Sequence, residues 1–218
     1  MINPSSRSIS LIIVWIVVAT IIGCKKDKDQ LSFGGTVKRA HVGPLSNVQV
    51  TAQHQEVVNG VFNSEYTSLG ATQTDVSGQF EIPFNTATYT SLRLVFNKEG
   101  YHKKTLVIDP QIFEETDRVA KNVTLYTQSS ITLHVLDGLD DFDQLLVRYV
   151  DASFDCVCCD AEWKYFDQPN IDTTLSCMVY GDQFVHYQYR LINTQIDTLI
   201  NDSVFCSPFE NQSIELSY

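Results

Sequence analysis

The sequence is short of basic residues. It has 15 Lys and Arg against 26 Asp and Glu, which gives a formal net charge of −11. Nucleic-acid binding requires clustered Lys and Arg to neutralise phosphates, and the sequence offers only the short run at Lys25, Lys26 and Lys28. We therefore expect no nucleic-acid partner.

The sequence also lacks the motifs of common catalytic sites. It contains no His-Glu-x-x-His zinc motif, no Gly-x-Ser-x-Gly motif and no phosphate-binding loop. A nucleophile pair formed by Cys158 and His186 stays open, although oxidation of the thiol in an exported protein would block it. We expect no catalytic residues and no cofactor, so the chain is not expected to be an enzyme.

Only one long apolar run is present. It extends from Ile9 to Ile22, follows Arg7, and is interrupted by Ser10 and Thr20. This layout is typical of a signal peptide. The run is short for a membrane-spanning helix, which needs about 20 apolar residues.

The apolar run ends in Ile21-Ile22-Gly23-Cys24, which resembles the lipobox of bacterial lipoproteins. The resemblance implies that residues 1–23 are removed and that Cys24 carries diacylglycerol and palmitate as a membrane anchor. The alternative is a plain N-terminal transmembrane anchor with an incidental thiol at Cys24. The expected location is the outer membrane, on its periplasmic face or at the cell surface.

Residues 24–30 are short and highly charged, which predicts a solvated tether. Their charges also resemble the surface-export signals of some Gram-negative lipoproteins. A simple hydrophilic spacer explains them equally well.

Residues 31–127 show short alternating apolar runs separated by Gly, Asn, Asp and Pro, and no sustained helical period. This pattern predicts a β-sandwich. A long insertion between Ala52 and Ala71 interrupts it and predicts an extended hairpin or loop. Its aromatic residues Phe62 and Tyr66 either cover the sandwich edge or form a contact surface. The predicted strands are Ser32 to Val37, Val48 to Ala52, Gln79 to Pro83, Leu92 to Phe96, Leu106 to Ile108 and Val123 to Tyr126.

Four elements in this half occur in an informative order: a Gly-containing first strand, the loop at Pro44, the Thr74-Asp75-Val76-Ser77-Gly78-Gln79-Phe80 hairpin and the Gly100-Tyr101 turn. Together they resemble the carboxypeptidase regulatory-like family, a transthyretin-like Greek-key sandwich. The resemblance implies an accessory module rather than a catalyst. A zinc carboxypeptidase site is not expected, because none of the five His residues has Glu at the third following position.

Residues 128–218 predict a second β-sandwich-like domain, or strands that share one larger sandwich with the first half. In the strand from Phe184 to Asn193, we expect Tyr187, Tyr189 and Leu191 on one face. The other predicted strands are Ile131 to Val135, Leu145 to Val150, Cys177 to Tyr180, Gln195 to Ile200 and Ser213 to Leu216. The fold class is therefore all-β.

Five cysteines lie in this second half of a chain expected in an oxidising compartment, so disulfides are the first expectation. Two bridges and one free thiol are the simplest arrangement, and a thiolate metal site or a reduced or mixed state are the alternatives. The candidates are Cys156, Cys158, Cys159, Cys177 and Cys206.

An acidic loop follows the first strand of this half. Asp137, Asp140, Asp141 and Asp143 are weak candidates for a calcium site, against a solvated acidic loop that binds nothing. We expect no metal site.

The expected function is that of a non-catalytic, lipid-anchored binding or structural module with a protein or glycan ligand. The alternatives are a subunit of an outer-membrane transport or secretion complex and an exported hydrolase.

Overall fold

The computed structural model describes residues 30–138, 142–150, 159 and 161–218. These residues form strands and one short helix, α1 (Ile112–Glu115), which confirms the all-β prediction. No helix within the described residues is long and apolar enough to cross a membrane. The strands are β1 (Gln30–Arg39), β2 (Gly43–Pro44), β3 (Gln49–Gln55), β4 (Val57–Val58), β5 (Val61–Phe62), β6 (Thr67–Gln73), β7 (Gln79–Asn85), β8 (Ser91–Asn97), β9 (Lys104–Ile108), β10 (Arg118–Leu125), β11 (Gln128–Leu136), β12 (Gln144–Tyr149), β13 (Lys164–Phe166), β14 (Asp172–Tyr180), β15 (Gln183–Ile192), β16 (Asp197–Cys206) and β17 (Asn211–Ser217).

Strands β1 to β10 form the N-terminal sandwich. In one sheet, β1 pairs antiparallel with β7 and parallel with β10, and the facing sheet has the order β6-β3-β8-β9. Alternate residues of each strand face the core, as in β7, where Phe80, Ile82 and Phe84 are buried and their neighbours are exposed. Since the chain passes repeatedly from one sheet to the other, the sandwich has the cross-sheet connections of Greek-key folds.

Strands β11 to β17 form the C-terminal sandwich around a second buried cluster. Its sheets have the orders β14-β11-β17 and β13-β12-β15-β16. The predicted alternation in β15 is confirmed: Tyr187 is buried, Tyr189 and Leu191 pack on the same core, and His186 is exposed. Every sheet pairing of the described strands joins strands on the same side of residue 127.

The two sandwiches meet at a compact joint. The backbone N–H of Gln128 donates to the carbonyl of Gly100 at 2.8 Å, and that of Gly181 donates to Thr127 at 2.9 Å. The rings of Tyr126 and Tyr180 stack with centroids 4.4 Å apart. Around this stack, Arg39 Nη2 donates to Asp182 Oδ2 at 2.6 Å, and His102 Nε2 lies 3.0 Å from the carbonyl oxygen of Val179.

The strand registers define two ends of the N-terminal sandwich. Gln30 pairs with Asn85, Gln55 pairs with Ser91, and Leu92 pairs with Ile108. The start of β1, the β4–β5 hairpin, the β7–β8 loop and α1 therefore share one end, which we call the hairpin end. The opposite end carries Arg39 and Gly100 and meets the C-terminal sandwich; we call it the joint end.

Candidate functional site

The hairpin end carries a β-hairpin with exposed apolar side chains. In this hairpin, Val57 pairs with Phe62 and Val58 pairs with Val61. The connecting residues Asn59 and Gly60 have φ angles of 50° and 79°. Positive φ at both positions is the geometry of a type I′ turn, which matches the twist of the flanking strands.

Three apolar side chains of this hairpin are exposed. Val61 is 70% exposed, Phe62 is 56% exposed and Val57 is 50% exposed. Exposed apolar side chains that lie together add nothing to the core, and contiguous apolar patches are typical of contact surfaces. Of the two alternatives left open for Phe62, the exposed position fits a contact surface.

Tyr66, on the same insertion, packs against the sandwich instead. Its ring lies under the guanidinium of Arg93, with Cζ 3.6 Å from the ring centroid. Its hydroxyl is 3.0 Å from Ser91 Oγ. Tyr66 therefore covers the edge of the sandwich.

The base of the hairpin is fixed to the sandwich by polar contacts. Gln55 Nε2 donates to the carbonyl of Ser64 at 2.5 Å, and the backbone N–H of Asn63 donates to Glu56 at 3.1 Å. Thr90 donates both its backbone N–H and its hydroxyl to the carbonyl of Gln55. The apolar tip is thus held by a braced stem, which reduces the entropy that a binding partner would have to remove.

A cavity of about 270 Å³ opens at the same end. Its lining is mostly apolar and includes Leu31, Ala87, Tyr89, Pro110 and Phe113. This volume lies below the roughly 300–1,000 Å³ of typical small-molecule sites. The cavity is better matched to a single apolar or aromatic side chain of a protein partner.

Packed aromatic rings form the inner wall of the cavity. Phe113 meets Phe33 and Phe84 edge-on, with centroids 5.3 Å and 5.4 Å away, and Phe33 stacks on Phe84 at 4.9 Å. Tyr89 contacts Phe84 on one side and His54 on the other. Such a cluster is rigid, so the cavity is preformed rather than opened by a ligand.

Tyr89 and His54 are titratable groups at the cavity, beside the carboxylates of Glu114 and Glu56. Burial and then the nearby carboxylate of Glu56 raise the pKa of Tyr89. His54 is buried, and its Nδ1 has no hydrogen-bond partner among the described residues. Tyr89 therefore stays a neutral hydroxyl at physiological pH, whereas Glu114 places a carboxylate in the lining of the cavity.

The cysteine predictions can be compared with the structure in part. Cys159 and Cys177 form a disulfide, which joins the segment before β13 to β14. Cys206, also a candidate for pairing, is instead a free thiol buried in the C-terminal core. Burial raises the pKa of this thiol to about 11, so it stays protonated and unreactive. Cys24, Cys156 and Cys158 lie outside the described residues, so of the suggested nucleophile pair only His186 is described, as an exposed residue of β15.

The acidic loop is described only in part, because Asp140 and Asp141 lie outside the described residues. The carboxylate of Asp137 accepts the backbone N–H of Asn170, so it ties two loops together. Asp143 is exposed. Among the described residues, no three His, Cys, Asp or Glu side chains come close enough to hold a metal ion.

The hairpin predicted as one alternative for the insertion between Ala52 and Ala71 is present, whereas sequence reasoning missed the cavity beside it. The Asn59-Gly60 pair between two Val-rich dipeptides is the strongest short-range signal for a hairpin, and it predicts the turn that is present. The cavity had no such signal, because Leu31, Tyr89 and Phe113 are far apart in sequence.

Comparisons with known proteins give no family for the chain. No family model matches it, and no curated protein matches it. Among solved structures, a 3-chlorocatechol 1,2-dioxygenase from Rhodococcus opacus 1CP is 16% identical with a TM-score of 0.34, and the match covers 44% of this chain and 59% of that one. The Bacillus anthracis TIE protein is 9% identical with a TM-score of 0.35, covering 87% of this chain and 34% of that one.

A third similar structure is the fimbrial anchor protein Mfa2 from Porphyromonas gingivalis, 11% identical with a TM-score of 0.29, covering 85% of this chain and 90% of that one. The chain spans less than two thirds of the length of the first structures it matches. All three TM-scores are below 0.5.

Proposed function

We propose that this chain is an exported, lipid-anchored, non-catalytic module of the bacterial cell envelope that binds a protein partner through its hairpin end. The observation that carries the proposal is the exposed apolar hairpin beside a preformed apolar cavity. Binding energy at protein interfaces is concentrated in a few apolar or aromatic anchors that fill pockets. The hairpin supplies the anchors, and the cavity supplies a pocket.

The cellular part of the proposal rests on the sequence. Residues 1–23 act as a lipoprotein signal peptide, Cys24 carries the lipid, and residues 24–30 form the tether, whose last residue, Gln30, is already the first residue of β1. Residues 31–127 form a carboxypeptidase regulatory-like domain, and residues 128–218 form a second domain. The two separate buried clusters support this division.

A subunit role in an outer-membrane transport or secretion complex is the more specific form of this proposal. The hairpin end favours it over glycan binding, because Val and Phe side chains offer no hydrogen bonds to sugar hydroxyls.

A pull-down of the lipoprotein from solubilised membranes tests the proposal, with wild type compared to Cys24→Ala and Phe62→Ser. We expect wild-type protein to fractionate with membranes and to isolate a defined partner. Cys24→Ala should not incorporate palmitate, and Phe62→Ser should stay in the membrane fraction but lose the partner. Val76→Ser is the matched control, since Val76 is 91% exposed at the joint end. Retention of the same partner by Phe62→Ser would contradict the proposal.

A further inference from the structure

We propose that the partner of the hairpin end is an integral membrane protein that presents a basic rim around its binding surface. This inference rests on the proposed function, because it uses lipidation at Cys24. It adds the chemistry and the location of the partner, which follow from the reach of the tether and the charges at this end of the molecule.

The tether limits how far the hairpin end lies from the membrane. Five residues separate Cys24 from Gln30, where β1 begins. An extended chain covers at most about 3.5 Å per residue, so Gln30 lies within about 20 Å of a lipidated Cys24. Because β1 starts at the hairpin end, this end is the part of the N-terminal sandwich nearest the tether, and the joint end is farther away.

The space next to the hairpin end is therefore close to the bilayer. A soluble protein would have to fit between the sandwich and the lipid headgroups, whereas an integral membrane protein already occupies that level. The cavity and the braced hairpin suit a folded surface with protruding side chains.

The charges at the hairpin end are mostly negative. Glu65, Asp109 and Glu115 are exposed there, and Glu56 lies half-buried at the base of the hairpin. Among the described residues, Arg118 is an exposed cation at this end and is already paired with Glu81 at 2.8 Å, while Arg93 is half-buried over the ring of Tyr66. The apolar tip and cavity are thus flanked by carboxylates.

An apolar tip and cavity flanked by carboxylates favour a basic protein surface over lipid as the binding partner. The tether contributes Lys25, Lys26 and Lys28 against Asp27 and Asp29, an excess of one positive charge that does not offset the four carboxylates. The net negative charge disfavours anionic headgroups, whereas Lys and Arg around the partner's binding surface would be attracted. Apolar anchors with complementary charges around them are the usual arrangement of a specific protein interface.

In-cell photo-crosslinking tests the inference with the full-length lipoprotein. A photoreactive amino acid replaces Val61 in one form and Val76 in the other, and products are analysed by mass. We expect the probe at residue 61 to form a product with a protein that stays in the membrane after alkaline extraction. The probe at residue 76 should give less than one fifth of that product.

Charge reversal tests the basic rim in the same assay. The double substitution Glu65→Lys and Glu115→Lys should lower the yield from residue 61 at least five-fold, whereas Glu99→Lys, an exposed site at the joint end, should leave it unchanged. Products with lipid alone, products with a soluble protein, or insensitivity to the double reversal would each overturn the inference. If the unsubstituted lipoprotein is absent from membranes, the proposed function itself fails, and the two failures are thereby distinguished.

Discussion

Removal of the Cys159–Cys177 disulfide should destabilise the C-terminal sandwich and spare the N-terminal one. The bond joins residues 18 positions apart. Closing a loop of this size restricts the unfolded chain by about 3 kcal/mol at 25 °C. The double substitution Cys159→Ser with Cys177→Ser should lower the free energy of unfolding of this sandwich by about that amount.

Tryptophan fluorescence gives a selective assay. Trp163 is the only tryptophan after residue 23, and Arg148 lies over its ring at 4.6 Å. Its emission in urea therefore reports the C-terminal sandwich, while calorimetry reports both. For a domain of this size, about 3 kcal/mol corresponds to a loss of about 12 °C or more in the melting temperature.

The test includes one control variant and two results that would contradict the prediction. Cys206→Ala removes a buried thiol but leaves the disulfide in place, and it should cost roughly 1 kcal/mol. A loss below about 1 kcal/mol in the double variant would refute the loop argument. Equal shifts of both calorimetric transitions would refute the division into two separately unfolding sandwiches.

Three further outcomes are expected. Burial raises the pKa of the Cys206 thiol from its ordinary value of 9.0 to about 11, so its contribution to the free energy of unfolding is complete below pH 9 and is lost as the pH rises through 11. The urea midpoint of the wild type should therefore fall between pH 8 and pH 11, and an equal fall in Cys206→Ala would show another cause. Phe62→Ser should change the free energy of unfolding by less than about 0.5 kcal/mol, because the Phe62 side chain is exposed. A larger decrease in this free energy, measured by urea denaturation, would mean that Phe62 belongs to the core. Tyr126→Ala removes one ring of the stack on Tyr180 and should raise the rate of proteolysis near Thr127 in a limited-digestion assay, whereas an unchanged rate would show that the backbone bonds alone hold the joint.

The strands were predictable where burial alternates. β7 and β8 bury every second residue, so the sequence pattern reports both the strand and its inner face. The predicted strand at Gln195 to Ile200 was shifted and too short, since β16 extends from Asp197 to Cys206. Most of its residues lie at the surface, which weakens the apolar signal. β6 and β13 were missed for the same reason.

The pairing of the strands and the location of the site were harder to predict from the sequence. The parallel pairing of β1 with β10 joins residues more than 80 positions apart, and no local pattern specifies it. The cavity at Tyr89 and Phe113 depends on that pairing, because β10 and β1 position α1 beside the β7–β8 loop. The Asn59-Gly60 turn, in contrast, is local and could have been predicted from two residues.

Cysteine accessibility in cells tests the central claim most directly. Phe62→Cys and Val76→Cys are made in the lipidated protein and in Cys24→Ala. Cells with a permeabilised outer membrane are treated with a maleimide, and labelling of the protein without either new cysteine is subtracted as background. The account predicts that residue 62 is labelled at least several-fold less than residue 76 in the lipidated protein, and equally in Cys24→Ala. Equal labelling of residues 62 and 76 in the lipidated protein would contradict a hairpin end that is occupied at the membrane.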